Sequence, residues 1–202
     1  MSESLIKKIL GNHSIPRPDW IEGYSDDEIS QIEKTYGISI SGDLERFFKQ
    51  AGRCFGGILG DDPLIFYREN MTWEDHMSLQ EVCREELIEI GREDFLGLGE
   101  FFFLADMDCC FTHFVRTKSK SPDLVYQLFE DTVRSTGESF SEHIAALVQN
   151  TAAYMSRVRQ FGTPENIAAR QGHLFATKES NEHWLGIKRM KFQGDMLRKK
   201  NE

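Results

Sequence analysis

Apolar residues in this chain come in short bursts spaced three or four apart, each bounded by a glycine or a capping residue. Residues 2–10 (SESLIKKIL) put Leu5, Ile6, Ile9 and Leu10 on one side of a short amphipathic helix that Gly11 stops. Pro16 and Pro18 favour extended chain up to Trp20. A second helix is predicted over 25–36. Ser25 and Glu28 form a capping box, Asp26 and Asp27 fill the first turn, and Ile29, Ile32 and Tyr36 form the stripe. Gly37 ends it as a left-handed cap. A third helix opens at Ser41 or Asp43, shows Leu44, Phe47 and Phe48 to the core, and closes at Gly52.

After the Gly56-Gly57 turn and the turn signal Asp61-Asp62-Pro63, residues 64–67 (LIFY) read as a strand. Thr72 to about Ile90 reads as a longer helix with Met77, Val82, Leu87 and Ile90 as its buried positions and many carboxylates on a solvated face. Residues 101–104 (FFFL), 109–116 (CCFTHFVR) and 124–129 (LVYQLF) read as strands, and in the middle one successive side chains alternate between two faces. Neither side of the middle segment is cleanly polar, so both faces of its sheet are expected to be covered. Short connections make an antiparallel meander the natural pairing, with the third strand ending at Glu130-Asp131. Ser139 and Glu142 form a further capping box, ahead of a helix with Phe140, Ile144, Leu147, Val148 and Met155 on its apolar side. Beyond Arg157 the composition shifts. Thr163-Pro164-Glu165 starts another helix, and the last residues are basic.

This order implies an α+β fold: an antiparallel or mixed sheet flanked by helices over residues 1–157, then a helical, basic C-terminal extension over 158–202. The segments EISQIEKTYGISISGDLERFFKQAGRCFGG, FFFLADMDCCFTHFV, LVYQLFEDT and SFSEHIAALV resemble the SUKH superfamily. That superfamily includes a fungal cell-wall regulator and many bacterial immunity proteins. The resemblance spans roughly residues 20–156. It departs at Ser41, where the family often has proline, and at Asp106-Met107-Asp108, where the family often has glycines. The family has no general catalytic motif. What the resemblance implies is a protein-binding module, and among its members an immunity protein that neutralises a toxin of a polymorphic toxin system.

Charge sharpens this picture. Residues 1–150 hold 14 Lys+Arg against 28 Asp+Glu, a net −14, whereas 151–202 hold 10 against 5, a net +5. An acidic body repels phosphate backbones and attracts a basic protein surface, such as that of a nuclease toxin. The basic tail complements the body, and folding back onto it is favoured over nucleic acid or an anionic membrane. No apolar run approaches the roughly 18 residues of a membrane helix. The N-terminus is too short and polar for a secretory signal, so a cytoplasmic protein is expected.

The reactive residue types form no recognised centre. Cys54, Cys83, Cys109 and Cys110 make no CxxC pair and read as small buried residues. Asp106, Asp108, Cys110 and His113 cluster near one turn without the spacing of a zinc or calcium loop. His113 shares a strand with both neighbouring cysteines, too extended for a nucleophilic dyad. The glycines at 52, 56, 57 and 60 lack the Lys-Ser/Thr of a phosphate loop. No metal, cofactor or catalytic residue is therefore expected.

Candidate partner-binding residues fall in two groups. Asp26, Asp27, Asp61, Asp62, Glu69, Glu130 and Asp131 sit at helix starts and loop ends, where carboxylates steer a basic partner. Trp20, Tyr24 and Trp73 are candidate aromatic anchors. Alternatives to the immunity reading are a regulatory or scaffold protein of the same fold and an enzyme with an unrecognised site.

Overall fold

The computed structural model describes residues 4–12, 21, 23–52, 73–105 and 111–161. Its centre is a four-stranded antiparallel sheet in sequential order. The strands are β1 (Glu100–Ala105), β2 (Phe111–Arg116), β3 (Leu124–Phe129) and β4 (Thr132–Ser139). Around it lie α1 (Leu5–Leu10), α2 (Asp26–Tyr36), α3 (Gly42–Ala51), α4 (Trp73–Glu89) and α5 (Phe140–Phe161), with a 3-10 turn at Glu93–Phe95. The fold class is α+β, as the patterning predicts, and among the described residues the sheet is antiparallel.

Local chemistry explains most of these elements. The Ser25 side chain accepts from the Glu28 N–H, and Glu28 Oε2 accepts from the Ser25 N–H at 2.9 Å, which completes the capping box of α2. Gly37 ends that helix at φ 67°, a left-handed position that favours glycine. Gly52 serves a different end. Its backbone stays right-handed, but a Cβ there would come within 2.8 Å of the Tyr24 ring and 2.6 Å of the Phe48 Cα. Its bare backbone lets Tyr24 pack down on α3. The Ser139–Glu142 box also forms, with Glu142 Oε2 2.9 Å from the Ser139 N–H.

Successive strand residues point to opposite sides, and both sides are covered. On one, Phe101, Phe103, Val115 and Val125 join a core with residues of α1, α2, α3 and α5. Aromatic edges fill it: Phe47 meets Phe140 at 5.3 Å, and Phe103 meets Phe140 at 5.0 Å. Such pairs add about 0.5–1.5 kcal/mol each beyond their buried area. On the other side, Phe102, Phe114, Leu128 and Val133 meet Cys83 and Leu87 of α4 and Phe95 of the 3-10 turn. A buried polar cluster ties α3 to the start of α5. Asp43 accepts from the Ser141 hydroxyl and pairs with Arg46, while the Asp43 N–H donates to Asp123 at 3.2 Å. Burial and the neighbouring Asp43 push the Asp123 carboxyl above the usual range.

Several sequence expectations change. The meander has a fourth strand, β4, which the patterning does not predict. Residues 132–139 (TVRSTGES) bury only one apolar side chain, Val133, so their alternation is faint. Pairing of Phe129 with Thr132 leaves Glu130 and Asp131 as a two-residue hairpin turn, with Glu130 at φ 49°. Among the described side chains of α4, Val82 is exposed and Gln80, Cys83 and Leu87 are buried, while Ile90 just beyond the helix is half-buried and the Met77 side chain lies outside the described residues. α5 continues past residue 157 to Phe161. The expected strand at 64–67, the turn at 106–108, Cys54, Cys109, Cys110 and the helix start at 163–165 lie outside the described residues.

Candidate functional site on the outer face of α4

Among the described side chains, Gln80, Cys83, Arg84 and Leu87 tie α4 to the sheet. Gln80, buried, donates from Nε2 to the Phe102 carbonyl at 2.8 Å and accepts from the Phe102 N–H at 3.1 Å. Among the described residues β1 lies at the edge of the sheet, so these are backbone groups that no described strand pairs with. One turn on, Cys83 and Leu87 fill the apolar contact. Arg84 then turns to the β1 carboxylate Glu100, at 2.8 Å, and Glu100 also accepts from the Gly97 N–H at 3.1 Å.

The opposite face follows from the helical period. With Gln80, Cys83 and Leu87 inward, residues 78, 81, 85 and 89 point out, with 82 and 88 on their flanks. Ser78, Glu81, Val82, Glu85, Ile88 and Glu89 are all exposed. Val82 and Ile88 are exposed to 45% and 49%, uncommon values for aliphatic side chains beside a covered sheet. The helix holds six carboxylates and one arginine, and that arginine is engaged by Glu100. The next cation along the chain, Arg92, is engaged too, by Asp94 at 2.9 Å, and lies 4.3 Å over the Phe95 ring.

This face does not stabilise the helix that carries it. Glu81, Glu85 and Glu89 stand four apart, and like charges at that spacing cost about 0.2–0.5 kcal/mol per pair. No basic residue sits in the last turn, where the helix dipole would favour one by about 0.3–1 kcal/mol. The arrangement is a negative row flanked by two aliphatic side chains. Chemically it can meet a cationic surface that also offers apolar contact. Among the described residues no group of three or more His, Cys, Asp or Glu side chains could hold a metal ion.

The residues named from sequence do not assemble into one patch. Tyr24 is a core residue, a correction to its place among the anchors. It is 5% exposed, its ring meets Phe48 edge-on at 5.9 Å, and its N–H donates to the Phe48 carbonyl at 2.8 Å. Asp26 and Asp27 are exposed at the start of α2, which packs on the sheet face opposite α4. The Asp26 charge is partly answered within the molecule, because Lys49 Nζ lies 2.9 Å from it and 2.8 Å from Glu45. The hydrogen bonds it donates to Glu45 and Asp26 hold the Lys49 ammonium above its ordinary range. Glu130 and Asp131 are exposed in the β3–β4 turn. Trp73 is the first residue of α4, with its side chain outside the described residues. Trp20, Asp61, Asp62 and Glu69 also lie outside them.

Sequence reasoning passed over Glu81, Val82, Glu85, Ile88 and Glu89 as a unit. The signal was present: glutamates every fourth residue, no cation at the helix end, and aliphatics off the Gln80–Cys83–Leu87 stripe. Three comparisons, with protein-family models, curated proteins and solved structures, find no match to the chain. No helix among the described residues is long and apolar enough to cross a membrane.

Proposed function

We propose that this protein is a cytoplasmic protein-binding module rather than an enzyme, and specifically an immunity protein of SUKH type that neutralises a toxin of a polymorphic toxin system. The observation that carries the reading is the outer face of α4: Glu81, Glu85 and Glu89 exposed in a row, flanked by Val82 and Ile88, with the helix's one arginine turned away to Glu100. A row that costs the helix stability is accounted for by what it meets. The partner is the cationic surface of a toxin domain, such as the phosphate-binding face of a nuclease. The carboxylates steer association and select that surface. Val82 and Ile88 supply apolar area that a partner can bury. Occupying the cationic surface blocks its substrate.

The test is titration calorimetry of this protein with the toxin domain encoded beside its gene, together with a toxicity rescue by co-expression. The expected result is tight binding that weakens with salt, and rescue of growth. Absence of both binding and rescue for the neighbouring toxin domain overturns the reading.

A further inference from the structure

Beneath α5, the sheet carries a line of polar side chains that the proposed function leaves unused. Arg134 of β4 donates from Nε to Gln127 Oε1 of β3 at 2.8 Å. An arginine can only donate, so the Gln127 carbonyl must face it and the amide NH2 must face the other way. That NH2 lies 3.3 Å from His113 Nε2 of β2. His113 Nε2 is therefore the acceptor, and the ring is neutral with its proton on Nδ1. The His113 ring is buried, and its centroid is 4.4 Å from that of His143 on α5. His143 Nδ1 in turn lies 2.6 Å from Glu138 Oε2 of β4, and its Nε2 is buried with no hydrogen-bond partner among the described residues. Phe103 of β1 stacks on His113 and meets His143 edge-on, closing the line with an apolar ring.

We propose that this seam is an acid-sensitive latch: α5 stays clamped to the sheet only while His113 is neutral, and a proton on His113 releases it. A proton on His113 Nε2 would set an N–H against the Gln127 NH2. Turning the amide to accept it would set that NH2 against the donor Arg134. The charged and titratable groups facing His113 include Arg134 from β4 and His143 from α5, with Glu138 of β4 behind His143; β3 offers the neutral Gln127 and β1 the Phe103 ring. The near oxygen of Glu138 is taken by His143. Burial, then His143 and Arg134, hold the His113 imidazolium well below its ordinary value, to about 3.

The sign follows. An opened state exposes His113 with an ordinary value of about 6.5 and takes up the proton first. The clamped state is fully favoured above about pH 6.5 and loses ground as pH falls from there toward 3, by up to about tenfold in its equilibrium constant per pH unit.

Hydrogen-exchange protection of the α5 amides, corrected for the intrinsic pH dependence of exchange, tests this between pH 7 and pH 5. Protection of residues 140–150 is expected to fall about tenfold per unit below pH 6.5, and His113→Gln, which cannot titrate, to flatten that slope. A slope unchanged in the variant, or no slope in the unaltered protein, overturns the latch. If His113→Gln does not fold, ring-nitrogen NMR of the unaltered protein decides. His113 is expected to remain the neutral Nδ1–H tautomer at pH 5; a protonated His113 in the folded state at pH 6 overturns the proposal.

Discussion

On one face of the sheet, Phe101 and Phe103 disappear beneath four helices. On the other, among the described residues, Phe102 meets α4 and the 3-10 turn at Glu93–Phe95, and the outer side of that helix shows Val82, Ile88 and three glutamates to solvent. The first face gathers residues from far apart in the chain, from Leu5 to Val148, and fills its centre with edge-to-face aromatic rings. The second is a smaller cluster hung on Gln80, Cys83 and Leu87. The contrast separates two tasks. One side is packed for stability; the other trades stability for an exposed, charged surface.

The largest expected break in this contrast is Phe47→Ala. Phe47 is fully buried in the four-helix face, and truncation should cost about 3–5 kcal/mol, read as a lowered midpoint in urea unfolding. Next comes Gln80→Ala, which strands the buried N–H and C=O of Phe102 and should cost about 2–3 kcal/mol. Its distinguishing readout is local: hydrogen exchange should quicken across α4 while α3 stays protected. Equal quickening in both would show that the two faces unfold as one. Ser25→Ala removes the capping box of α2 and should cost about 1 kcal/mol by the same urea measurement. Smallest in stability is Glu85→Lys, expected within about 0.5 kcal/mol of the unaltered protein because the site is an exposed helix position. Its effect should appear in calorimetry with the toxin domain, as a loss of affinity of at least tenfold. Destabilisation above that range would show that the glutamate row serves the fold instead.

Much of the stable face was legible because its signals are local. The Ser25–Glu28 and Ser139–Glu142 boxes mark their helix starts, and the Leu5–Leu10 stripe is buried as its spacing predicts. The exposed side was harder to read. In α4 a buried glutamine replaces an apolar residue at the centre of the inward stripe, so periodicity alone assigns Val82 to the core in place of Gln80. β4 is held mainly by backbone pairing to β3, which leaves almost no trace in hydrophobic pattern. Its turn also places a glutamate at φ 49°, where glycine or asparagine would have announced a hairpin. For the same reason Glu130 and Asp131 read as free acidic loop ends rather than as the hairpin they form. The His113 line was invisible, since β2, β3, β4 and α5 each contribute to it and only the register brings them together.

Gln80 has one more consequence. Unpaired backbone on an outermost strand is a template on which another chain can extend a sheet, the first step toward fibrils. By occupying both hydrogen-bonding groups of Phe102, next to the irregular register between Phe102 and Leu104, Gln80 denies that template at the most apolar stretch of the molecule. The glutamine that moors α4 is thus also a gatekeeper against self-assembly.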